Sequence, residues 1–480
     1  MKKYVWDFKK QYKEYREQEV FDCMVAEYLI NGGRDNITLE STLERYKISS
    51  LTELGEEQQQ IFESNSKLRY MYEDIELPLI EVLWNMENVG IHVNKDRLFE
   101  LDIQLDREIE KIKGEIFELT QEDFNLASPQ QVGKILVDTF KIPLKKRLTG
   151  SYITNEQELE KHSDAFPIIQ KILKFREYAK LKTTYVTGLL EKLDIDNIVH
   201  TTYNPVGTST GRLSSSNPNL QNIPASGDIG TQIKSCFIPS KNRTFISFDY
   251  SQQELRILAH ITQEQKLIEA FKNRMDVHTL TASQVFNIPY DQVTKEQRLA
   301  SKTINFGVLY GMGSYGLSRT LNISVDEAQK FINAFFNNFS NVKEYYKNYL
   351  EEVKKNGYAE TLLGRRKYVL IDLRTGDFDN MTKRELTNYP IQGTAAELMK
   401  KTMVDIYNDI IKKRSDVNLI LQIHDELVFE FEKESELQLR EFLREVRSIM
   451  MDAYKLDVPM EVEAKMGENW GSLQKISLHR

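Results

Sequence analysis

Thr244-Phe-Ile-Ser-Phe248, Asp249-Tyr250-Ser251-Gln252-Gln253 and Glu254-Leu-Arg-Ile-Leu-Ala-His260 follow one another without a break, and the fold of the chain turns on how they are read. The first run is short, apolar and rich in strand-favouring residues, whereas the last carries apolar residues at helical spacing. The change of period leaves Asp249 at the C-terminal edge of a strand. A second place of this kind lies far downstream. Leu419-Ile-Leu-Gln-Ile423 and Leu427-Val-Phe-Glu-Phe431 read as the arms of a hairpin with His424-Asp425-Glu426 near its turn. Carboxylates on rigid strand ends are hard oxygen ligands of the kind Mg²⁺ takes one or two at a time, with water and phosphate supplying the rest. A lone aspartate in a turn is ordinarily a turn residue, so neither segment carries this reading by itself.

The segment between them does more. Arg298, Lys302, Phe306 and Tyr310 recur every fourth position in Arg298-Leu-Ala-Ser-Lys302-Thr-Ile-Asn-Phe306-Gly-Val-Leu-Tyr310-Gly311, which keeps them on one face of a helix. That face is about 18 Å long at roughly 1.5 Å per residue. The two cations sit toward the N-terminal end, where the helix dipole also favours a polyphosphate, and the two aromatics sit where a sugar and base can stack. An amphipathic helix with solvated basic residues is the plain alternative. Gly307 and Gly311 inside the run speak against it, since each costs up to about 1 kcal/mol relative to alanine. With the two aspartates, the helix points to metal-dependent transfer of a nucleotide to a growing strand, with two metals about 3.5–4 Å apart serving the primer hydroxyl and the leaving oxygen.

From about residue 75 onward the chain resembles the family A DNA polymerases of the bacterial DNA polymerase I type. Thr210-Gly211-Arg212-Leu213-Ser214-Ser215, Pro218-Asn219-Leu220-Gln221-Asn222-Ile223-Pro224, Pro390-Ile391-Gln392-Gly393-Thr394-Ala395-Ala396 and Gly467-Glu-Asn-Trp470 are similar to segments of that family. The resemblance implies a mixed α+β right hand: an antiparallel-sheet palm, helical fingers and a helical thumb. It implies that Asp249, Asp425 and the Tyr250 carbonyl hold two Mg²⁺ ions, for which Mn²⁺ can substitute, with Glu426 nearby. Arg298, Lys302, His278, Phe306, Tyr310, Glu254 and Gln253 are the expected dNTP contacts, and Lys302 and Glu426 are also expected to act in catalysis. Arg212, Gln221, Asn222, Gln392, Arg384 and His424 are the expected contacts to primer-template DNA.

Along the chain, the resemblance divides residues 1–75 (the remnant of an exonuclease-like domain, helical and polar), 76–195 (thumb and its base helices), 196–261 (first part of the palm), 262–375 (fingers) and 376–480 (second part of the palm). No complete set of metal-binding carboxylates is read within residues 1–75, so no proofreading is expected. Apolar spacing at Leu98, Leu101, Leu105, Ile109, Ile112 and Ile116 predicts a long helix over about 95–121, after one near 77–89. Ser128-Pro129 has the N-cap and first-position proline of a helix start, and Thr154 with Gln157 reads as a capping box.

The net charge of −8 over 480 residues is unusual for a DNA-binding chain, but phosphate contacts act within about a Debye length of 10 Å. Basic clusters are present at Lys171, Lys174, Arg176, Lys180 and Lys182, and at Lys145-Lys146-Arg147. They are expected to line the duplex, with acidic stretches at 53–63 and 430–441 on outer faces. Two cysteines, Cys23 and Cys236, exclude a disulfide framework and a four-cysteine zinc site. Met1-Lys-Lys-Tyr-Val-Trp-Asp lacks the apolar core of a signal peptide, and no apolar run of membrane-spanning length occurs. A cytoplasmic monomer without a membrane partner is expected.

The family pattern is broken at Ala225–Lys234, where several arginines give way to one lysine, and again at 372–381. Gln253 replaces an aliphatic residue beside Glu254. The reading is a DNA-templated DNA polymerase using two-metal phosphoryl transfer. Its alternatives are a single-subunit RNA polymerase, which the Glu254–Tyr310 pair crowding a ribose 2′-hydroxyl opposes, and a catalytically inactive DNA-binding protein.

Overall fold

Strands β1 (Arg243–Tyr250), β2 (Val417–Ile423), β3 (Glu426–Glu432), β4 (Val462–Gly467) and β5 (Gln474–Lys475) form one sheet in the order β2-β3-β1-β4-β5, with every pairing antiparallel. They belong to a computed structural model that describes residues 2–33, 37–224, 227–372, 375–433 and 436–476. The sheet is covered on both faces, which explains why its strands read as nearly continuous apolar runs. Ile246, Phe248 and Tyr250 of β1 pack with Leu427 and Phe429 against Met399, Met403 and Phe442. Phe245, Leu421 and Val428 face Phe237 and Trp470 on the other side. A bulge between Leu419 and Leu421 sends these two residues, only two apart, to opposite faces.

Helix α1 (Lys95–Thr120) buries the six apolar positions its spacing predicts. At about 39 Å long it joins two cores. Leu98, Leu101 and Leu105 belong to the core beneath the sheet, while Ile109, Ile112 and Ile116 pack with Val132, Leu136 and Ile172. The last of these lies on α2 (Pro167–Leu181). Helices α3 (Gln253–Thr262), α4 (Val277–Phe286) and α5 (Lys295–Leu309) follow β1. The long α6 (Asn380–Asp409), buried almost all round from Leu386 to Tyr407, runs behind the sheet with Pro390 inside it.

Several expectations need correction. Residues before 75 are not only helical: Lys3–Val5 pairs in parallel with Val20–Asp22. The buried Asp22 carboxylate caps helix Cys23–Ile30 through Met24 and Val25 N–H and accepts from Phe8 N–H. The pair Asp74 and Glu76 at the end of this region does not alter the reading that it lacks a metal-binding set, since Glu76 is fully buried and holds Lys400 and Arg365. Ser128 caps its helix as expected, whereas the next helix is capped by Asn155 and not Thr154. Thr154 instead lies buried, its carbonyl accepting from Arg176. The basic run along and just past α2 is partly spoken for, because Lys171 pairs with Glu115 at 2.5 Å and Lys182 with Asp102 at 2.8 Å. Lys145, Lys146 and Arg147 do stand exposed at a loop tip. Residues 225–226 and 373–374 of the two divergent stretches, and 434–435 of an acidic one, lie outside the described residues. Among the described residues, no helix is long and apolar enough to cross a membrane.

Candidate active site

Antiparallel register sets the acidic end of the site. Asp249 lies directly opposite Glu426 on β3 and Glu463 on β4, so three carboxylates line up across one edge of one face. His424, in a left-handed conformation (φ 54°), and Asp425 make the turn between β2 and β3, and the Asp425 carbonyl accepts the Tyr250 N–H at 3.1 Å. Burial and the charges of Asp425, Glu426 and Glu463 push the Asp249 carboxyl up to about 7, against the pull of Lys465. Burial also raises the Asp425 carboxyl. Lys465 is the nearby counter-charge, 3.8 Å from Asp249. The Tyr250 side chain is a structural anchor, hydrogen-bonded at 2.9 Å to Thr402 and donating at 2.8 Å to the Met450 carbonyl.

Across a cleft of about 840 Å³ stands α5, started by a Thr294/Gln297 capping box. Arg298, Lys302 and Phe306 on α5, with Tyr310 at its C-cap, all line the cleft opposite Asp249 and Asp425. The stripe holds, but the helix ends one residue before Tyr310. Gly311 is therefore not an interior glycine: its φ of 64° turns the chain, and a Cβ there would meet Arg384 Cγ at 2.6 Å. The Phe306 and Tyr310 rings stack at 6.3 Å between centroids.

Glu254, mostly buried at the start of α3, accepts from Tyr310 Oη at 2.8 Å and pairs with Arg212 at 2.5 Å. Burial raises its carboxyl, opposed by Arg212 and by the Tyr310 bond. Gln253 is 4% exposed and donates to the Ala395 carbonyl at 3.4 Å, so it does not open to solvent. His278 is buried on α4. Thr281 donates to Asn305 Oδ1 at 2.9 Å, which turns the Asn305 amide N–H toward His278 Nδ1, also at 2.9 Å. The imidazole proton therefore sits on Nε2. Burial lowers the His278 pKa to about 4, helped by Arg298 and Lys302.

Arg212, Gln221 and His424 also line the cleft, and Glu426 adjoins it through Asp249. Asn222, Gln392 and Arg384 do not. The Asn222 carbonyl accepts from Tyr185 at 2.5 Å, Gln392 is half-buried on α6, and Arg384 lies exposed against Gly311.

Several residues at the site had no local signal. Gln422 braces the turn by donating to the His424 carbonyl at 2.6 Å, and its own N–H donates to Tyr203 Oη at 3.1 Å. Arg256 ties the turn after β1 to the start of β4, donating to the Ser251 and Pro459 carbonyls and pairing with Glu461 at 2.9 Å. Glu463 and Lys465 reach Asp249 only through pairing of β4 with β1. Asp276 holds Arg298.

The family model described as DNA polymerase family A matches residues 95–472. The chain belongs to DNA polymerase family A. Its similarity to DNA polymerase I of Caldicellulosiruptor bescii is 38% identity over 466 residues, covering 94% of this chain and 54% of that protein. With DNA polymerase I of Bacillus subtilis (strain 168) it is 37% over 510 residues, covering 98% and 58%. The thermostable DNA polymerase I of Thermus aquaticus is 38% identical over 468 residues, covering 95% and 55%. The chain thus spans about half the length of the curated relatives it matches. The structure of the POL domain of Pol1 from M. smegmatis, in complex with DNA primer-template and dNTP, superposes with a TM-score of 0.87 at 32% identity, covering 95% of this chain and 83% of that one. The mixed α+β architecture expected from the resemblance is borne out. Family A DNA polymerases use divalent metal ions.

Among the described residues, no three His, Cys, Asp or Glu side chains form a complete metal site by themselves. The donor set nevertheless fits a hard divalent ion. Asp249 and Asp425 crowd two carboxylates at the cleft, with Glu426 and Glu463 adding charge that Lys465 and Lys475, the latter paired with Glu463 at 2.8 Å, offset only in part. An ion completing its shell with water and phosphate oxygens suits such a set.

Proposed function

We propose that this chain is a DNA-templated DNA polymerase that extends a primer 3′ end with deoxynucleotides. The observation that carries the reading is one cleft with Asp249 and Asp425 on one wall and the Arg298–Lys302–Phe306–Tyr310 stripe on the other. Asp249 and Asp425, with the Tyr250 carbonyl, would hold two Mg²⁺ ions, Mn²⁺ substituting. Divalent ions held there supply positive charge that acidifies the primer hydroxyl and stabilises the leaving pyrophosphate. The residues of the chain do the rest. Arg298, Lys302 and the Nε2–H of His278 bind the triphosphate, and Lys302 also meets the charge that develops as the bond to pyrophosphate breaks. Phe306 and Tyr310 support sugar and base. Glu254, fixed between Tyr310 and Arg212, walls the sugar 2′ position and opposes ribonucleotides, which disfavours the RNA polymerase reading. Arg212, Gln221 and His424 face the primer-template, with Asn222, Gln392 and Arg384 further out.

We also propose the division into an N-terminal segment to residue 75, thumb (76–195), palm (196–261 and 376–480) and fingers (262–375). Proofreading is not part of the proposed activity. Three buried carboxylates before residue 77 are engaged in structure: Asp22 caps a helix, Glu27 pairs with Arg45, and Glu76 pairs with Lys400. Two buried free thiols and bacterial relatives support a reducing cytoplasm as the compartment.

Primer extension tests the reading. The protein with primer-template, divalent metal and dNTPs should extend the primer, and rNTPs should be poor substrates. Asp249→Asn and Asp425→Asn should each lose extension by at least about a hundredfold while still binding primer-template, since a ligand charge goes and little volume changes. Absence of extension by the unaltered chain overturns the function. Near-normal extension by either variant overturns the metal assignment.

A further inference from the structure

The cation expected to meet the end of the triphosphate already has a partner. Arg298 presents Nε and Nη2 to a single oxygen of Asp276, at 3.0 and 2.5 Å. Both residues line the cleft and neither is buried: the side chains are 45% and 33% exposed. Asp276 divides its oxygens between two tasks. Oδ1 caps α4 by accepting the Thr279 N–H at 2.8 Å, and Oδ2 takes the guanidinium. Its backbone N–H is fixed by Tyr290 Oη at 3.0 Å, so the carboxylate is delivered from a rigid helix start. Lys302, one turn further along α5, makes no ion pair among the described residues.

A carboxylate oxygen held by two guanidinium N–H groups presents to them the kind of anionic acceptor that a phosphate oxygen would. We propose that Asp276 occupies Arg298 in place of a phosphate and so sets the affinity of the cleft for polyphosphates, because a nucleotide whose outer phosphates reach Arg298 must first displace it. The inference rests on the polymerase reading of the cleft. A deoxynucleoside triphosphate reaches Arg298 and replaces the broken pair with a more highly charged one. A deoxynucleoside monophosphate lacks the outer phosphates and leaves the pair closed. Asp276 therefore weakens the binding of every polyphosphate ligand by the strength of its ion pair and leaves short ligands unaffected.

The test is available because the cap and the latch use different oxygens. Asp276→Asn and Asp276→Ser both keep a good N-cap for α4, and both remove the charge that holds Arg298. Each should lower the dNTP KM in primer extension by roughly two- to fivefold, the range an exposed ion pair carries. Inorganic pyrophosphate should inhibit at correspondingly lower concentration, while binding of deoxynucleoside monophosphate stays unchanged. In an Arg298→Ala background the same substitutions should leave KM unchanged, which separates a specific pair from a general loss of negative charge. An unchanged or raised KM in both single variants overturns the proposal, as does a KM decrease that persists without Arg298. If the unaltered chain extends no primer, the polymerase reading itself fails. Extension with these KM outcomes overturns only the role of Asp276.

Discussion

Lys400→Met should be among the most costly single substitutions in the chain. Lys400 lies on α6 with its side chain 1% exposed, and its ammonium donates to both oxygens of Glu76 at 2.8 and 2.9 Å and to the Pro205 carbonyl at 3.2 Å. Glu76 is fully buried and is also held by Arg365, which in turn reaches Glu397 at 3.2 Å. The four residues join the N-terminal region, the turn before Arg366–Tyr368 and the middle of α6. Burial raises the Glu397 carboxyl to about 7 and lowers the Lys400 ammonium to about 8, while the paired cations pull the Glu76 carboxyl below its usual range.

Methionine keeps most of the side-chain length and removes the charge, leaving Glu76 with one cation. Breaking a buried pair from one side costs roughly 3–5 kcal/mol, because the remaining charge is stranded. Glu76→Gln alone strands Lys400 in the same way. The double variant strands neither, so its cost should fall short of the sum of the singles by at least about 1 kcal/mol. Urea unfolding of the four proteins reads these values from the midpoints, provided the slopes agree. A loss below about 1 kcal/mol for Lys400→Met, or strict additivity in the double variant, would refute the view that these charges are mutually dependent.

His278 predicts a pH effect with a definite sign. Its folded pKa of about 4 lies below the ordinary 6.5, so the folded protein binds fewer protons than the unfolded chain between those values. That contribution is fully present above about pH 6.5 and is lost as pH falls toward 4. A tenfold change in proton affinity is worth about 1.4 kcal/mol, so the whole loss is roughly 3–4 kcal/mol. His278→Gln should flatten the urea-midpoint profile over this window, and an unchanged slope would show that other groups set it. Gln253→Ile should stabilise the fold slightly, by about 0.5–1 kcal/mol read from urea midpoints, since it exchanges one long bond to the Ala395 carbonyl for apolar contact. It should also lower misincorporation on a defined template if the amide loosens the wall beside Glu254, and unchanged error ratios would refute that link.

What could be read from sequence follows the range of the interactions involved. Asp249 and Asp425 were legible because apolar strands buried on both faces announce themselves locally, and a charge at the end of such a run stands out. The stripe of Arg298, Lys302, Phe306 and Tyr310 was legible from helical spacing, although Gly311 as the terminating residue was not, since only the approach of Arg384 shows it. Glu463 could not be found this way: Val462-Glu-Ala-Lys-Met-Gly467 alternates like a half-exposed edge, and its register against Asp249 is a pairing across more than two hundred residues. Asp276 was masked by its own local role, because an aspartate before a helix is sufficiently explained as a cap. Lys400 was masked by habit, since lysine in a helix reads as solvated unless its partners are known.

These residues share a physical signature that the sequence does not display. Glu426, Asp249 and Glu463 stand opposite one another in a sheet, where like charges oppose pairing by roughly 0.2–1 kcal/mol each. A sequence selected for stability alone would not put three acids in that row, even with Lys465 3.8 Å from Asp249 and Lys475 paired with Glu463 at 2.8 Å. Across the cleft the Arg298 guanidinium is held by Asp276, a carboxylate that already has a helix to cap. In the acid row a local rule of stability is broken where the chain faces the cleft, and such conflicts are expected where function opposes stability. A divalent cation would relieve the acid row, and a polyphosphate would take the place of the Asp276 carboxylate on Arg298, which is why the two walls are best understood as halves of a single site.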